Sequence, residues 1–341
     1  MNRIVRYLLR RLVSAVLTLV LLSLVVFAMV KVIPGDEAHV AAGVTATPEQ
    51  VTAMRVHLGL DKPLPEQYLA FLGRAVRGDL GTSISSHTSI ASGIAEVLPE
   101  TLQLTLVALV LMILIAVPMA TVSAFRRRRG ADMVVRAGVV VASGLPTFWL
   151  ALVAQLLLAS RWGLLPISGT FSPHRGVTRV TGMSVVDAAL AGSPTLVVDG
   201  LYHLLLPALV LALPFTAQLF RALRTEMITV LDSDFMDAVR AKGVSSRRLI
   251  LRHLLPNASG PAITVIGATV AMMIGSAVLV ESVFGLNGIG GYLTTAVANS
   301  DRFAVIGGVL VIGVVIVVLS LIVDVLQLIR DPRLRARQVG V

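Results

Sequence analysis

Six stretches of this chain are long and apolar enough to cross a bilayer, and each admits one backbone solution. The hydrocarbon core is about 30 Å thick and an α-helix rises about 1.5 Å per residue, so a span takes about 20 mostly apolar residues. The stretches are 12–33, 101–125, 133–160, 204–220, 261–280 and 304–323, the last without a charged residue. No water inside hydrocarbon satisfies a peptide N–H or C=O, so these runs must be helices. The fourth is short and carries Pro207 and Pro214. A membrane helix tolerates proline where its neighbours satisfy the freed carbonyls.

Composition narrows the class further. Of 341 residues only 14% are charged, against about a quarter in soluble domains. The net charge of +10 does not make a nucleic-acid binder, because the basic residues sit beside apolar runs rather than on a soluble face with stacking aromatics. With no cysteine, neither a disulfide framework nor a thiolate metal site is available.

Charge asymmetry sets the expected orientation. With the N-terminus in the cytoplasm, twenty of the 29 Lys and Arg residues fall inside, and twelve of the 19 acidic residues fall outside. This is the positive-inside pattern for six spans with both termini cytoplasmic. The first run, at about 22 residues, exceeds the 7–15 of a cleavable signal and reads as a retained anchor. The expected organisation is a basic cytoplasmic N-terminus at 1–11, a first transmembrane helix at 12–33 and an external helical insert at 34–99. A five-helix transmembrane core at 100–329 carries a cytoplasmic loop at 221–256, and a basic cytoplasmic tail follows at 330–341.

The insert has helical grammar of its own. Thr47-Pro48-Glu49-Gln50 offers a capping threonine, a proline at the first helical position and a glutamine able to return the bond; Gly59 ends that pattern. Leu64-Pro65 opens a second helix with Tyr68, Leu69, Phe71, Leu72 and Ala75 on one side, closed by Gly78. The loop at 161–202 is rich in Gly, Ser, Thr and Pro and lacks periodicity. In the cytoplasmic loop, Asp232, Ser233 or Asp234 caps a short helix through Phe235, Met236, Ala238, Val239 and Ala241, with Lys242 at its negative end and Gly243 in the left-handed turn. Ser245 or Ser246 then caps a second helix bearing Leu249, Ile250, Leu251, Leu254 and Leu255, which Pro256 stops. The expected shape is helix, glycine elbow, helix.

That elbow resembles the "EAA" loop of permease subunits of binding-protein-dependent ABC importers. The matching positions are Asp237, Ala238, Val239, Gly243, Leu255 and Pro256, within the wording Val239-Arg240-Ala241-Lys242-Gly243. An aspartate stands in place of the motif's glutamate, Val239 in place of its second alanine, and His253 in place of the usual isoleucine. Further segments resemble the dipeptide, oligopeptide and nickel branch, and within it the B-type subunit: RYLLRRL at the start, VIPGD at 32–36, ATPEQ at 46–50, LGLDKPLPEQYL at 58–69, RGDLGTS at 77–83, GLPTFWL at 144–150, ESVFGLNGIG at 281–290 and DPRLR at 331–335.

The resemblance implies an all-α integral membrane protein with six transmembrane helices of the type I ABC importer kind and a small helical external insert, in the bacterial inner membrane. It implies that Asp237, Ala238, Val239, Arg240, Lys242, Gly243, Leu255 and Pro256 couple the chain to a separate ATPase by alternating access. The implied partners are a homologous second permease of C-type, two ATPase subunits, an extracytoplasmic substrate-binding protein and membrane lipid, with peptides as cargo.

The residues agree that hydrolysis lies elsewhere. The only lysines, Lys31, Lys62 and Lys242, follow no glycine, so there is no GxxxxGK[ST] phosphate loop. ATP and magnesium are therefore expected on partner subunits, and this chain, which has no HExxH pair or Gly-x-Ser-x-Gly elbow, binds no cofactor or metal of its own. Polar groups within spans mark candidate sites, since burying them unpaired is costly. Gln103, Gln155 and Gln218 either bond between helices or line a translocation path. Asp324 pairs with Arg330 or a neighbouring subunit. Glu281 faces an arriving ligand and suits a peptide amine. The alternative class is an ATP-independent secondary transporter or channel, which calls for an inverted repeat and paired intramembrane charges that the sequence lacks.

Overall fold

The computed structural model describes residues 3–32, 37–43, 46–57, 59–127, 130–173 and 176–330. Among them the regular structure is helical, with a single isolated bridge between Thr82 and Ser89. Motif positions 33–36, Leu58, Arg128 and Arg129, and the tail beyond 330, lie outside the described residues.

The centre of the bundle is α5 (Ile90–Phe125), α9 (Pro194–Leu231) and α12 (Leu255–Phe284). Their packing follows from a repeat of four in the sequence. Leu104, Ala108, Met112, Ala116, Ala120 and Ala124 fall every fourth residue along α5, and all are buried. Small residues on such a stripe let a neighbouring backbone approach closely, which is how helices associate where lipid supplies no hydrophobic drive. The neighbour is α9, which returns Leu204, Ala208, Leu211, Phe215, Leu219, Leu223 and Met227. This fourth span, only 17 residues long by composition, becomes a 38-residue helix, the most deeply buried of the candidate spans among the described residues, and it runs through both Pro207 and Pro214.

The third span departs from expectation. Instead of one helix at 133–160 there are two, α6 (Gly130–Gly144) and α7 (Thr147–Ala154), bent by 108° with α7 continuing as a π-helical stretch to Arg161. The break falls at Gly144-Leu145-Pro146. Proline lacks the N–H that would continue the ladder and disfavours helical geometry at the residue before it.

At the rim, α1 (Arg3–Val32) pairs with α14 (Arg302–Arg330), and most of both apolar surfaces faces outward. Asp324 of α14 meets Arg11 of α1 at 3.1 Å, so its described partner comes from the first helix; the Arg330 side chain lies outside the described residues. Three short helices follow α1: α2 (Glu37–Ala42), α3 (Pro48–His57) and α4 (Leu64–Val76). The reciprocal cap on α3 forms, with Thr47 N–H donating to Gln50 Oε1 at 2.9 Å and Gln50 N–H to Thr47 Oγ1 at 3.4 Å. α4 docks on α1 through Tyr68 and Phe71, whose rings lie 5.5 and 5.8 Å from Phe27, while Tyr68 and Ser23 hydroxyls bond at 2.9 Å. Leu69, expected on that side, is 64% exposed. One position past Tyr68 turns a side chain about 100° away on a helix of 3.6 residues per turn. The remaining helices are α8 (Ser184–Leu190), α10 (Asp234–Ala241), α11 (Ser246–Arg248) and α13 (Ile289–Ala298).

Candidate functional site

The chain leaves α9 at Leu231 and makes a hairpin before entering α12. Ser233 takes the extended N-cap backbone, but its hydroxyl donates backward to the Val230 carbonyl at 2.6 Å instead of capping α10. Asp232 is held by Arg127 from the α5–α6 connection at 2.5 Å, and that hydrogen bond raises the arginine's pKa. Lys242 ends α10, and Gly243 follows at φ +70°. A side chain there would meet no atom within 4 Å, so the requirement is purely one of backbone handedness.

Met236 and Val239 turn inward and pack with Leu249 and Leu254 in the same core that holds α5, α9 and α12. Asp237, Ala238, Arg240, Lys242 and Gly243 turn outward, with Arg240 bonded to Asp237 at 3.0 Å. The outer surface also carries Phe235 at 50% exposure and Leu251 at 54%, together with Arg247, Arg248 and Arg252. The Phe235 and His253 rings lie 6.0 Å apart and tie the two arms together.

The second arm is not a separate helix closed by Pro256. From Ser246 the chain runs through α11, a π-helical turn at Leu249–Leu254 and α12 without a break to Phe284. Pro256 sits in the first turn of α12. A local π turn re-satisfies carbonyls that a missing N–H would orphan, so the proline is absorbed. Leu255 is half-buried and Pro256 exposed. Sequence reasoning missed this continuity because proline after a helical pattern ordinarily signals a stop.

The polar span residues gather mostly at the opposite end, each bonded to a different neighbour. Gln103 is buried, donates to Ser184 Oγ at 2.8 Å and accepts from Val185 N–H at 2.9 Å, while Glu100 accepts from the Ser184 hydroxyl at 2.9 Å. Gln155 donates to the Ile167 and Val283 carbonyls at 2.8 and 3.1 Å. Glu281, expected to face a ligand, is fully buried; its Oε2 accepts from Gly290 N–H at 2.7 Å and its Oε1 has no hydrogen-bond partner. The carboxylate is folded under the N-terminus of α13, where Gly290 lies so close to α12 that an added Cβ would stand 2.2 Å from the Val278 carbonyl oxygen. Gln218 does not join this group. It is half-buried farther along α9, with no hydrogen bond among the described residues.

Three aspartates that the sequence left unassigned organise the loops at this end. Asp187 accepts from the N–H groups of Val180, Thr181 and Gly182 and from the Thr181 hydroxyl, at 2.7–3.2 Å. Burial pushes its carboxyl up, and these four donors outweigh that and leave its pKa lowered. Asp301, buried ahead of α14, accepts from Ser83 and Ser85 and from Ala304 N–H. Here too burial pushes the carboxyl up and the hydrogen bonds bring it below its ordinary value. Asp199 accepts from the Ser172 N–H at 2.8 Å and hydroxyl at 2.6 Å. The available signal was the Ser, Thr and Gly enrichment of 161–202, which supplies hydroxyl and turn N–H donors.

Two family descriptions cover nearly all of the sequence. Residues 112–336 match the binding-protein-dependent transport system inner membrane component, and residues 4–105 match the N-terminal part of such a membrane component. Among similar proteins, the dipeptide transport system permease protein DppB of Escherichia coli (strain K12) is 32% identical over 98% of this chain and 99% of its own length. The di/tripeptide transport system permease protein DppB of Pseudomonas aeruginosa (strain UCBPP-PA14) is 32% identical over 96% of this chain and 97% of its own. A probable D,D-dipeptide transport system permease protein, DdpB, of E. coli (strain K12) is 35% identical over 91% and 92%.

Proposed function

The chain belongs to the inner membrane components of binding-protein-dependent transport systems, and from that premise we propose that it is the permease subunit of an ATP-driven peptide importer whose hairpin between α9 and α12 is the seat of a separate ATPase. The observation that carries this reading is the two-sided hairpin. Its inner residues Met236, Val239, Leu249 and Leu254 belong to the bundle core, and its outer surface offers Phe235 and Leu251 within a basic rim. A buried inner face makes the elbow rigid with the spans, and an apolar centre ringed by charge is the anatomy of a protein-docking patch.

The mechanical consequence follows from continuity. The helix from Ser246 to Phe284 has 39 residues, or roughly 58 Å at the α-helical rise. A push on its hairpin end therefore moves its far end, where Glu281 and α13 are attached. Paired motion of this kind in two permeases opens a shared cavity to one side or the other, which is alternating access. A homologous second permease completes the path, two ATPase subunits supply ATP hydrolysis and hold ATP and magnesium, and an extracytoplasmic binding protein delivers cargo. This chain performs no hydrolysis itself. Peptide cargo is supported by the names of the similar permeases, and the charge asymmetry supports an orientation with the hairpin and both termini in the cytoplasm.

The test is co-purification of the ATPase subunits from membranes. Replacing Gly243 with proline leaves the protein inserted and folded and abolishes ATPase capture. Undiminished capture by that variant overturns the assignment of the hairpin.

A further inference from the structure

A second constellation lies beside the hairpin, between α6 and α9, and the transport reading does not use it. A pocket of about 210 Å³ is lined by Arg136, Val139 and Val140 of α6 and by Phe220, Arg221, Arg224 and Thr225 of α9. It sits where the apolar run 204–220 gives way to arginines, which is headgroup depth for a spanning helix. Its mouth opens beside the outward face of α6, where Val134, Val140 and Val141 are 61–70% exposed.

Charge in this pocket is unbalanced. The carboxylate that serves it is Asp132, 2% exposed, which takes Arg224 in a fork at 3.0 and 2.8 Å, Arg136 at 3.6 Å and the Ser123 hydroxyl. Among the described residues, the Arg221 side chain bonds the Ser143 hydroxyl alone, at 3.3 Å. Two guanidinium groups thus share one carboxylate, and a third lines the pocket beside them. The Asp132 fork fixes Arg224 in place, so the site is built before any ligand arrives. Planar guanidinium groups suit a phosphate diester, with paired N–H donors matching paired oxygens. The walls beside them, Val139, Val140 and Phe220, suit the start of an acyl chain.

We propose that this pocket binds the phosphate of an anionic phospholipid, with Arg136 and Arg221 on the headgroup and the apolar wall on the first methylenes. The shared chemistry is a phosphate monoanion. Lipid is the source because the pocket combines basic and apolar walls and opens beside the exposed apolar face of α6.

The full chain, purified from membranes with the subunits that accompany it, is stripped with detergent and incubated with phosphatidylglycerol or phosphatidylcholine, and retained lipid is counted by native mass spectrometry. The wild type retains phosphatidylglycerol over phosphatidylcholine. The double variant R136Q/R221Q, which leaves the Asp132–Arg224 fork intact, loses roughly thirtyfold in phosphatidylglycerol retention, the size expected for two interfacial charges. V140W fills the cavity without altering charge and gives a loss of the same kind, while R161Q, at the opposite end, gives none. Equal retention of the two lipids by the wild type, or unchanged retention by both pocket variants, overturns the proposal. Displacement of the lipid by millimolar inorganic phosphate also overturns it, by making the site one for a free anion.

Discussion

The two ends of the bundle solve the problem of exposed polar groups in opposite ways. At the α13 end, buried carboxylates consume the donors around them: Asp187 takes three backbone N–H groups and a hydroxyl, Asp301 ties α14 to the Ser83–Ser85 turn, and Glu100 with Gln103 locks α8 in place. At the hairpin end Lys242, Arg247, Arg248 and Arg252 are exposed, and Phe235 and Leu251 are half uncovered. One end is closed largely by its own network, Glu281 Oε1 excepted, and the other leaves much of its bonding capacity at the surface. An end that is already satisfied behaves as structure, and an end that is not is built to be completed by another chain.

Substitutions can break this contrast. The largest effect is expected for Gly290→Val, which drives a side chain into the Val278 backbone; overpacking against main chain costs about 3 kcal/mol or more, and the yield of folded protein in mild detergent should collapse. Asp187→Ala leaves several turn donors without their acceptor, at a cost of about 2–3 kcal/mol, seen as a lower melting temperature and faster proteolysis within 161–202. The double variant Phe235→Ala/Leu251→Ala acts at the other end. It should change stability by less than about 0.5 kcal/mol while weakening ATPase association roughly tenfold in pull-down titrations, since a truncated docking anchor typically costs 1–2 kcal/mol. A large drop in melting temperature for this pair would mean that the hairpin is structure too.

Gly243→Ala sharpens the comparison, because the open space around it leaves only left-handed strain of about 1 kcal/mol, read as faster hydrogen exchange confined to α10. The smallest effect comes from acid. Asp187 and Asp301 have pKa values below the ordinary 3.8, so their stabilisation is complete above that value and is lost as the pH falls through the lower folded one. Hydrogen exchange at pH 3 should loosen the 79–89 and 161–202 segments before the hairpin. Uniform loosening would contradict the division between the two ends.

The sequence was most legible where one rule acted alone. Span length fixed the number of apolar runs, and the Thr47–Gln50 cap and the Gly243 elbow were readable because each rests on a local backbone requirement. The fourth span was undervalued: counting hydrophobic residues missed polar ends that become helical once buried against α5, and Asp199 and His203 are part of that helix. The hairpin's position was legible too, but its second arm was not. Pro256 signals a stop only if the turns before it keep α-helical spacing, and a π turn lifts that condition.

By itself, then, the sequence determined that this chain is a helical membrane protein with a glycine elbow set between two spans, because hydrocarbon forbids unsatisfied backbone and a left-handed turn selects glycine. Only the tertiary structure decided which groups the polar residues bond. Gln103 was open to an interhelical bond or a path and Glu281 was expected to face a ligand; the groups that bond them, Ser184 and Val185 of α8 and Gly290 of α13, lie on other helices. Burial and hydrogen bonding are properties of contacts between segments distant along the chain, and no local pattern records which segments will meet.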